Sequence, residues 1–290
     1  MILTEVITAE IRAGQLKATI DGAIDRLVGE LAEGHTEEYR KLLSFWSRFH
    51  RYSHGNVLLI LSQRPDATQV AGYRTWRKVG RQVKRGAKAI SIWCPVIREI
   101  ADPETGLPVP LCVGFTPCPV FAAEDLVDIQ TNPLPTLWRP LPDDVDGLYR
   151  YLKRKVEEAG YWVEEKPLPP GRQGSTAPDG TITVAQGLDS RNRIMVLLHE
   201  LAHALEHLRE ERQEAPRDQR ELEAESAAMI VCALLGIEHP TARDYILMYR
   251  GDAEGLKASL SAIRRIVGRM VGLLGLTLSA NERAAPLAAD

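Results

Sequence analysis

The sequence has few cysteines, and none of them form a metal-binding pair. Its four cysteines, Cys94, Cys112, Cys118 and Cys232, lie in a chain of 290 residues without any C-x-x-C spacing. Without such pairs, we expect reduced, buried thiols of the kind found in cytoplasmic proteins. A bridge between Cys112 and Cys118 is an alternative that the spacing does not support.

The sequence also lacks long hydrophobic runs. Its longest apolar stretch, Ala227 to Ile237, is too short to span a bilayer. The N-terminus has no basic start before an apolar core, so it does not read as a signal peptide. We therefore expect a protein that is not secreted, has no membrane partner and is located in the cytoplasm. No internal repeat is found.

Charge is distributed unevenly along the chain. The formal net charge is only −3, yet Glu38 to Arg98 contains thirteen Lys or Arg against two Asp or Glu. From His199 to Glu225 the balance reverses, with four basic and nine acidic residues. The N-terminal part is therefore suited to a polyanion, whereas the surface around the second segment should repel one.

The chain is long enough for two domains, and a proline-rich stretch indicates the boundary. Gln130 to Pro142 contains four prolines, which exclude a regular helix or a central strand. The predicted organisation is an N-terminal domain over 1–130, a linker over 131–143, a second domain over 144–278 and a loose tail over 279–290.

Hydrophobic periodicity predicts an α+β fold. The N-terminal domain is expected to contain helices near Ile11 to Leu31, Thr36 to Phe49 and Asn56 to Leu61, followed by a hairpin of Ala89 to Ile100 with Leu107 to Phe121. The second domain is expected to contain a helix over Val145 to Ala159 and a strand over Thr181 to Ala185, ahead of a helix that carries two histidines.

Two histidines four residues apart, His199 and His203, flank Glu200 in the pattern H-E-x-x-H. On a helix these histidines share one face, so both rings can bind one tetrahedral Zn²⁺ while Glu200 stands beside its open position. The apolar residues around them recur at spacings of three and four, and Asp189 or Ser190 could cap the helix. The pattern therefore predicts a catalytic zinc site.

A third zinc ligand is expected eighteen residues after His203. Glu221 and Glu225 share a face of a helix bracketed by Pro216 and Gly236. We predict that Glu221 binds the metal and that Glu225, one turn later, accepts the spare N–H of a ligand imidazole. Exposed helix charge is the alternative for Glu225.

Two further residues of this region are less informative. Glu223 points away from the Glu221 face and is expected to be solvated. His207 lies one turn beyond His203, too far along the axis to bind the same ion. It is expected either behind the ligands or on the surface.

These parts predict metal-assisted amide hydrolysis. Zinc lowers the pKa of its bound water to about 7, Glu200 takes the proton, and the resulting hydroxide attacks a carbonyl. Tyr245 is a candidate phenol donor for the oxyanion, with a core tyrosine as the alternative.

The same residues resemble a known peptidase group. His199, Glu200, His203 and the pair Glu221-x-x-x-Glu225 are similar to the zinc-binding residues of the gluzincins. In that group the first glutamate of such a pair is the ligand and the later acidic residue supports a ligand histidine. Several branches have aspartate where this chain has Glu225.

The basic segment interleaves cations with aromatic rings, a combination suited to single-stranded nucleic acid. Cations follow the phosphates while unstacked bases lie on exposed rings. The alternative for Trp76 and Trp93 is a place in the core. The candidate contacts are Arg74, Trp76, Arg77, Lys78, Arg81, Lys84, Arg85 and Lys88.

A second resemblance covers about residues 38 to 121. It is carried by Tyr52-Ser53-His54-Gly55-Asn56, Gln63 to Thr68, Val70 to Tyr73, Trp76, Gly80 to Val83, Lys84-Arg85-Gly86, Ile90 and Pro95-Val96. This series resembles the N-terminal single-stranded-DNA-binding domain of ArdC-type antirestriction proteins of plasmids and other mobile genetic elements. Their second domain is a zinc metallopeptidase. His54 and Ala87 depart from the usual pattern.

Three functions follow as hypotheses. The preferred one is a zinc peptidase that binds single-stranded DNA and acts on an unidentified protein or peptide near it. The second is a DNA-binding shield whose metal site is not catalytic. The third is a regulatory peptidase that cleaves a specific repressor, with the N-terminal domain recognising protein.

Overall fold

The described residues fall into two compact units. The structure is a computed structural model. It describes residues 2–101, 105, 107–134, 144–209, 212, 214–237, 246 and 249–276. The first unit comprises described residues 2–23 and 51–134, and the second comprises 24–50 and the described residues from 144 onwards. Helix α1 (Ile2–Ala32) contributes to both.

Besides α1, the first unit contains α3 (His54–Gln63), β1 (Val70–Ala71), α4 (Tyr73–Lys78), β2 (Ile90–Ala101) and β3 (Pro108–Ala122). The strands form an antiparallel sheet of order β1-β3-β2. Strands β2 and β3 form a long hairpin with a bulge between Val96 and Ile97, which confirms the predicted hairpin.

Asn56 ties α3 to the hairpin. The Ser53 side chain caps the helix by accepting from the Asn56 backbone N–H. The Asn56 side chain donates to the Trp93 carbonyl oxygen and accepts from the Trp93 N–H, both at 2.8 Å. Because this amide is buried, the paired hydrogen bonds offset its desolvation.

The expectation of four reduced thiols is wrong for one pair. Cys94 on β2 and Cys118 on β3 form a disulfide, with their Cα atoms 5.9 Å apart. The hairpin register places Cys118 opposite Ile92, only two residues from Cys94. Cys112, the alternative partner, is free, as is the buried Cys232. Spacing along the chain does not reveal register across strands, which is what brings these two together.

The elements of the second unit are α2 (Glu37–Arg48), α5 (Val145–Glu158), β4 (Val163–Lys166), β5 (Gly174–Thr176), β6 (Ile182–Ala185), α6 (Ser190–Ala202), a π-helical turn (His203–His207), α7 (Arg217–Leu234) and α8 (Ala253–Leu273). The strands form a sheet of order β4-β6-β5, in which β4 is parallel and β5 antiparallel to β6. Helix α6 packs against this sheet, and α7 packs against α2, α6 and α8.

The two compact units divide the chain differently from the predicted first domain over 1–130. Helix α2 belongs to the second unit, because its apolar face is buried and Tyr39 reaches Ser226 of α7, hydroxyl to hydroxyl at 2.9 Å. Of the predicted linker, Leu134 packs on the core of the first unit, and residues 135–143 lie outside the described residues. The predicted tail over 279–290 also lies outside them.

Among the residues described, no helix is both long and apolar enough to cross a membrane.

Candidate metal centre

Helix α6 and the π turn that follows it present the two histidines on one face. The Asp189 side chain caps α6 by accepting from the Asn192 N–H at 3.0 Å, one of the two caps that the sequence allowed. Leu197, Leu198 and Leu201 are fully buried, which fixes the rotation of the helix about its axis. His199 and His203 then lie along the opposite, cleft-lining side.

The structure brings His199, His203 and Glu221 together as one group of potential metal ligands. The Nε2 atoms of His199 and His203 are 3.1 Å apart. Glu221 Oε2 lies 3.4 Å from His199 Nε2 and 3.6 Å from His203 Nε2. Ligands at tetrahedral corners around zinc, with bonds near 2.05 Å, are separated by about 3.4 Å. The three atoms therefore form a candidate divalent-metal site, and their spacing fits a four-coordinate ion.

Glu225 supports the first histidine. Its Oε2 lies 2.8 Å from His199 Nδ1, the ring nitrogen that faces away from Glu221. Glu225 is 3% exposed, so the alternative of an exposed helix charge is wrong. A carboxylate at this position fixes the tautomer in which Nε2 is free to bind a metal.

Glu200 is buried beside the ligands and is held by β5. Thr176 Oγ1 lies 2.7 Å from Glu200 Oε2 and 2.9 Å from the Glu200 carbonyl oxygen. Burial raises the pKa of Glu200, against the opposing effects of His199 and the Thr176 hydroxyl. A carboxylate in this state is a better proton acceptor than a solvated one.

Strand β5 approaches α6 closely because residue 174 is glycine. A Cβ at Gly174 would lie 2.5 Å from Val196 Cγ1 and 2.7 Å from Glu200 Oε1. Both distances are too short for carbon at this position. The missing side chain thus allows Thr176 to reach Glu200.

The second histidine is supported by His207, for which a place behind the ligands was one of the two expectations, and through it by Glu223. Glu223 was expected to be solvated, but it is 0% exposed, and His207 is 4% exposed. His207 Nδ1 lies 2.8 Å from His203 Nδ1, and His207 Nε2 lies 3.0 Å from Glu223 Oε2. The spacing of four residues between the histidines at 199, 203 and 207 was the one signal in the sequence that His207 lies next to His203.

Burial and opposite charge shape the electrostatics of the ligands. Burial lowers the pKa of His199, but Glu221 and Glu225 outweigh it and raise the value to about 10. For His203 burial prevails and lowers the pKa to about 4. Burial raises the pKa of Glu221, yet hydrogen bonds with both histidines bring it well below its usual range. Negative charge thus gathers at a point where a cation can neutralise it.

The ligands open into a cleft of about 920 Å³. Its walls include β5, the Met195 and Val196 side of α6, and the start of α7. Three arginines also line it, namely Arg172, Arg217 and Arg220. Tyr245, the candidate oxyanion donor, lies outside the described residues.

The structure corrects part of the candidate nucleic-acid surface of the first unit. Trp76 is 5% exposed, and its indole N–H donates to the Phe121 carbonyl oxygen at 2.9 Å, so it offers no free face for stacking. Arg81 is also occupied, since it pairs with Asp128 at 2.8 Å and donates to the Asn132 carbonyl oxygen. The sequence of a basic segment does not reveal whether its tryptophan and arginine are packed inside the protein or exposed to bind nucleic acid.

The remaining cations of this surface are exposed. Lys84 Nζ donates to the Glu124 carbonyl oxygen at 2.9 Å, which leaves its charge at the surface. Five others have no ion pair within the described part of the chain; they are Arg74, Arg77, Lys78, Arg85 and Lys88. Tyr73, beside them on α4, is 45% exposed.

Comparisons with known proteins find sequence similarity in the N-terminal part of the chain and structural similarity over most of it. Residues 7–105 match the family model described as the N-terminal domain of anti-restriction factor ArdC. An uncharacterized protein of Bacillus anthracis is 32% identical over 100 residues, which are 33% of this chain and 17% of that protein. The chain thus matches about a sixth of the length of this relative.

Two solved structures share the fold. A metal-free structure of the antirestriction ArdC protein from the R388 plasmid has a TM-score of 0.55 and 17% identity, covering 88% of this chain and 97% of that one. A Mn(II)-bound structure of the same protein has a TM-score of 0.51 and 17% identity, covering 92% and 98%. Agreement over most of both chains extends the likeness beyond the N-terminal family match.

Proposed function

We propose that this chain is a zinc-dependent metallopeptidase that binds single-stranded DNA and acts in antirestriction. The proposal is supported by the match of its N-terminal residues to the ArdC N-terminal domain and by the similarity of its fold to that of an ArdC protein. The second unit would be the peptidase, with a zincin-like site, and the first would bind the DNA. The substrate is a protein or peptide met on or near incoming DNA.

The observation that carries the peptidase proposal is the position of Glu200. Its carboxylate is buried, is held by Thr176 and lines the same open cleft as His199, His203 and Glu221. Two imidazoles and one carboxylate are a donor set that suits zinc, and three protein ligands leave a fourth position for water. A purely structural zinc site would be closed by a fourth protein ligand, which the described residues do not supply.

The proposed reaction is hydrolysis of a peptide bond. Zinc, held by the two histidines and Glu221, would supply Lewis acidity and acidify a water at the open position. Glu200 would accept one proton of that water as the water oxygen forms a bond to the peptide carbonyl carbon. Glu200 would then return this proton to the amide nitrogen as the C–N bond breaks, while the second proton of the water stays on the new carboxyl group, so the products are a carboxylic acid and an amine. The Thr176 hydroxyl holds Glu200 in position throughout.

Strand β5 supplies a means of aligning the substrate. It lies at one end of the order β4-β6-β5, and Gly174 to Thr176 line the cleft beside Glu200. An extended peptide can add to such an edge through main-chain hydrogen bonds. This brings a scissile bond next to the residues that would cleave it.

DNA binding is proposed for the exposed cations of α4 and of the loop that follows. Arg74, Arg77 and Lys78 lie on α4, and Arg85 and Lys88 lie on the loop, all exposed. Since Trp76 is buried, the exposed Tyr73 takes its place as the ring on which a base could stack. Phosphate contacts would dominate, so sequence preference should be slight.

The test is Glu200→Gln, with Glu158→Gln on the exposed surface of α5 as the matched control. We expect Glu200→Gln to retain zinc and single-stranded DNA binding and to lose cleavage of a proteome-derived peptide library. Loss of restriction protection along with cleavage supports the full proposal. Unchanged protection would favour a DNA-binding shield, and absent DNA affinity would favour a regulatory peptidase that recognises protein.

A further inference from the structure

The two histidine ligands are supported in different ways. His199 meets a carboxylate directly through Nδ1, whereas His203 meets another histidine, and only that histidine meets a carboxylate. We infer that His207, Glu223 and Arg212 form a positioning relay that sets the orientation and tautomer of His203. The inference rests on the metal centre of the proposed function but not on peptide hydrolysis.

The geometry fixes the direction of each hydrogen bond in the relay. If His203 binds metal through Nε2, its proton must reside on Nδ1, which then donates to His207 Nδ1 at 2.8 Å. His207 must accept there, so its own proton resides on Nε2 and is donated to Glu223 Oε2 at 3.0 Å. Only one arrangement of protons satisfies all three residues at once.

Glu223 is anchored so that it cannot turn away from His207. Arg212 Nη2 lies 2.7 Å from both of its carboxylate oxygens, and Gln219 Nε2 donates to Oε1 at 3.0 Å. A fully buried carboxylate is retained when its partners satisfy its oxygens in this way. The anchored carboxylate therefore determines the ring position of His207.

The π turn that carries His203 and His207 is also held by residues of α8. The π turn His203–His207 widens the helix where the relay begins, and such turns often occur at functional sites. Arg265 of α8 pairs with the buried Glu206 at 2.7 Å, and Arg269 donates to the Leu205 carbonyl oxygen. These contacts stabilise the turn that directs His207 towards His203.

The test compares zinc affinity, measured by competition with a chromophoric chelator, among variants of the full chain. His207→Ala is expected to lower affinity about 10- to 100-fold, the usual effect of removing a partner of a ligand histidine. His207→Asn retains an acceptor, Oδ1, at the position of His207 Nδ1, so it should recover most of the loss. Leu152→Ala, fully buried on α5 and outside the relay, is the control; it should lower the melting temperature of the metal-free protein without changing zinc affinity.

Two spectroscopic measurements distinguish a relay from simple packing. The visible spectrum of the Co²⁺-loaded protein should change in His207→Ala and return in His207→Asn. In the zinc-loaded wild-type protein, ¹⁵N shifts of the histidine rings should show His207 protonated at Nε2 alone. This measurement stands even if His207→Ala fails to fold.

Three results would overturn the inference. A proton on His207 Nδ1 contradicts the hydrogen-bond direction, and wild-type zinc affinity in His207→Ala contradicts a positioning role. If His207→Asn binds zinc as weakly as His207→Ala, acceptance from His203 is not what His207 contributes. A wild-type chain that binds neither zinc nor Co²⁺ rejects the metal centre itself, and this failure is distinct from the others.

Discussion

Thr176 Oγ1 lies 2.7 Å from Glu200 Oε2, so a residue of β5 holds the carboxylate proposed as the proton acceptor. The contact joins the sheet to the histidine helix at the point where the cleft opens. Glu200 is therefore positioned by a residue of β5, which lies outside both the H-E-x-x-H pattern and the helix that carries it.

Thr176→Val should lower the rate of peptide hydrolysis about tenfold or more. A hydrogen bond to a charged group contributes about 1.5 to 3 kcal/mol, and each 1.4 kcal/mol is tenfold in rate. The hydroxyl also lowers the pKa of Glu200, so its loss should move the acidic limb of kcat/KM towards higher pH. Thr176→Ser retains the hydroxyl and should behave as wild type. Equal loss in both variants would contradict this role.

Gly174→Ala should reduce activity and stability together. The added Cβ meets Val196 and Glu200 at distances that require β5 or the carboxylate to move, and overpacking costs about 1 to 3 kcal/mol. Gly29→Ala has nothing within 4 Å of its Cβ and serves as the control. Urea unfolding and kcat should both decline for Gly174→Ala alone; an unchanged kcat would show that β5 does not position Glu200.

Glu221→Ala should lower zinc affinity far more than Glu225→Ala. Glu221 supplies a ligand atom, whereas Glu225 contacts His199 through the ring nitrogen that does not face the site. Removal of such a supporting carboxylate typically costs about 10- to 100-fold in metal affinity. Competition with a chelator measures both variants, and the reverse order would show that Glu225 is the ligand.

Tyr39→Phe should destabilise the protein at neutral pH and reduce its sensitivity to alkali. Burial, against a hydrogen bond with Ser226, raises the pKa of Tyr39. A raised pKa means that the stabilisation is complete below the unfolded value of about 10 and is lost as pH rises through the folded value. The variant loses about 1 kcal/mol at pH 7.

Urea unfolding at pH 7 and above pH 10 measures both effects of Tyr39→Phe. Tyr73→Phe, at an exposed position, is the matched control and should leave both values unchanged. If Tyr39→Phe loses as much stability as wild type on passing to high pH, the phenol of Tyr39 is not responsible for the alkaline loss.

Reversing charge at Arg85 and Lys88 should weaken single-stranded DNA binding and flatten its dependence on salt. Each lost phosphate contact reduces the slope of log affinity against log salt by about 0.7 for a single strand. Reversal of Arg150 and Arg154 on α5 changes the net charge equally and is the control. Fluorescence anisotropy across a salt series gives the slopes, and an unaltered slope would place the site elsewhere.

The sequence predicted several of the regular elements because their patterns are local, but it did not predict β1 or α8. The hairpin of β2 and β3, the cap at Asp189 and the α7 bracket of Pro216 and Gly236 all depend on neighbouring residues. Strands β4 (VEEK) and β5 (GST) were missed because they contain only one apolar residue between them, whereas the predicted β6 (ITVA) is mostly apolar. Helix α4 was read only as a basic surface; Trp76 was a candidate DNA contact with a core position as the alternative, and the core position is the one it has.

The sequence by itself determined that His199, His203 and Glu200 share one region of a helix and that Glu221 and Glu225 share one face of another. Helical periodicity fixes such relations without any knowledge of packing. Only the tertiary structure decided which groups meet across elements: Glu221 with both histidines, Thr176 with Glu200, and Glu223 with His207. These contacts depend on how α6, α7 and β5 pack, because burial and long-range hydrogen bonding are properties of the assembled core and not of any local pattern.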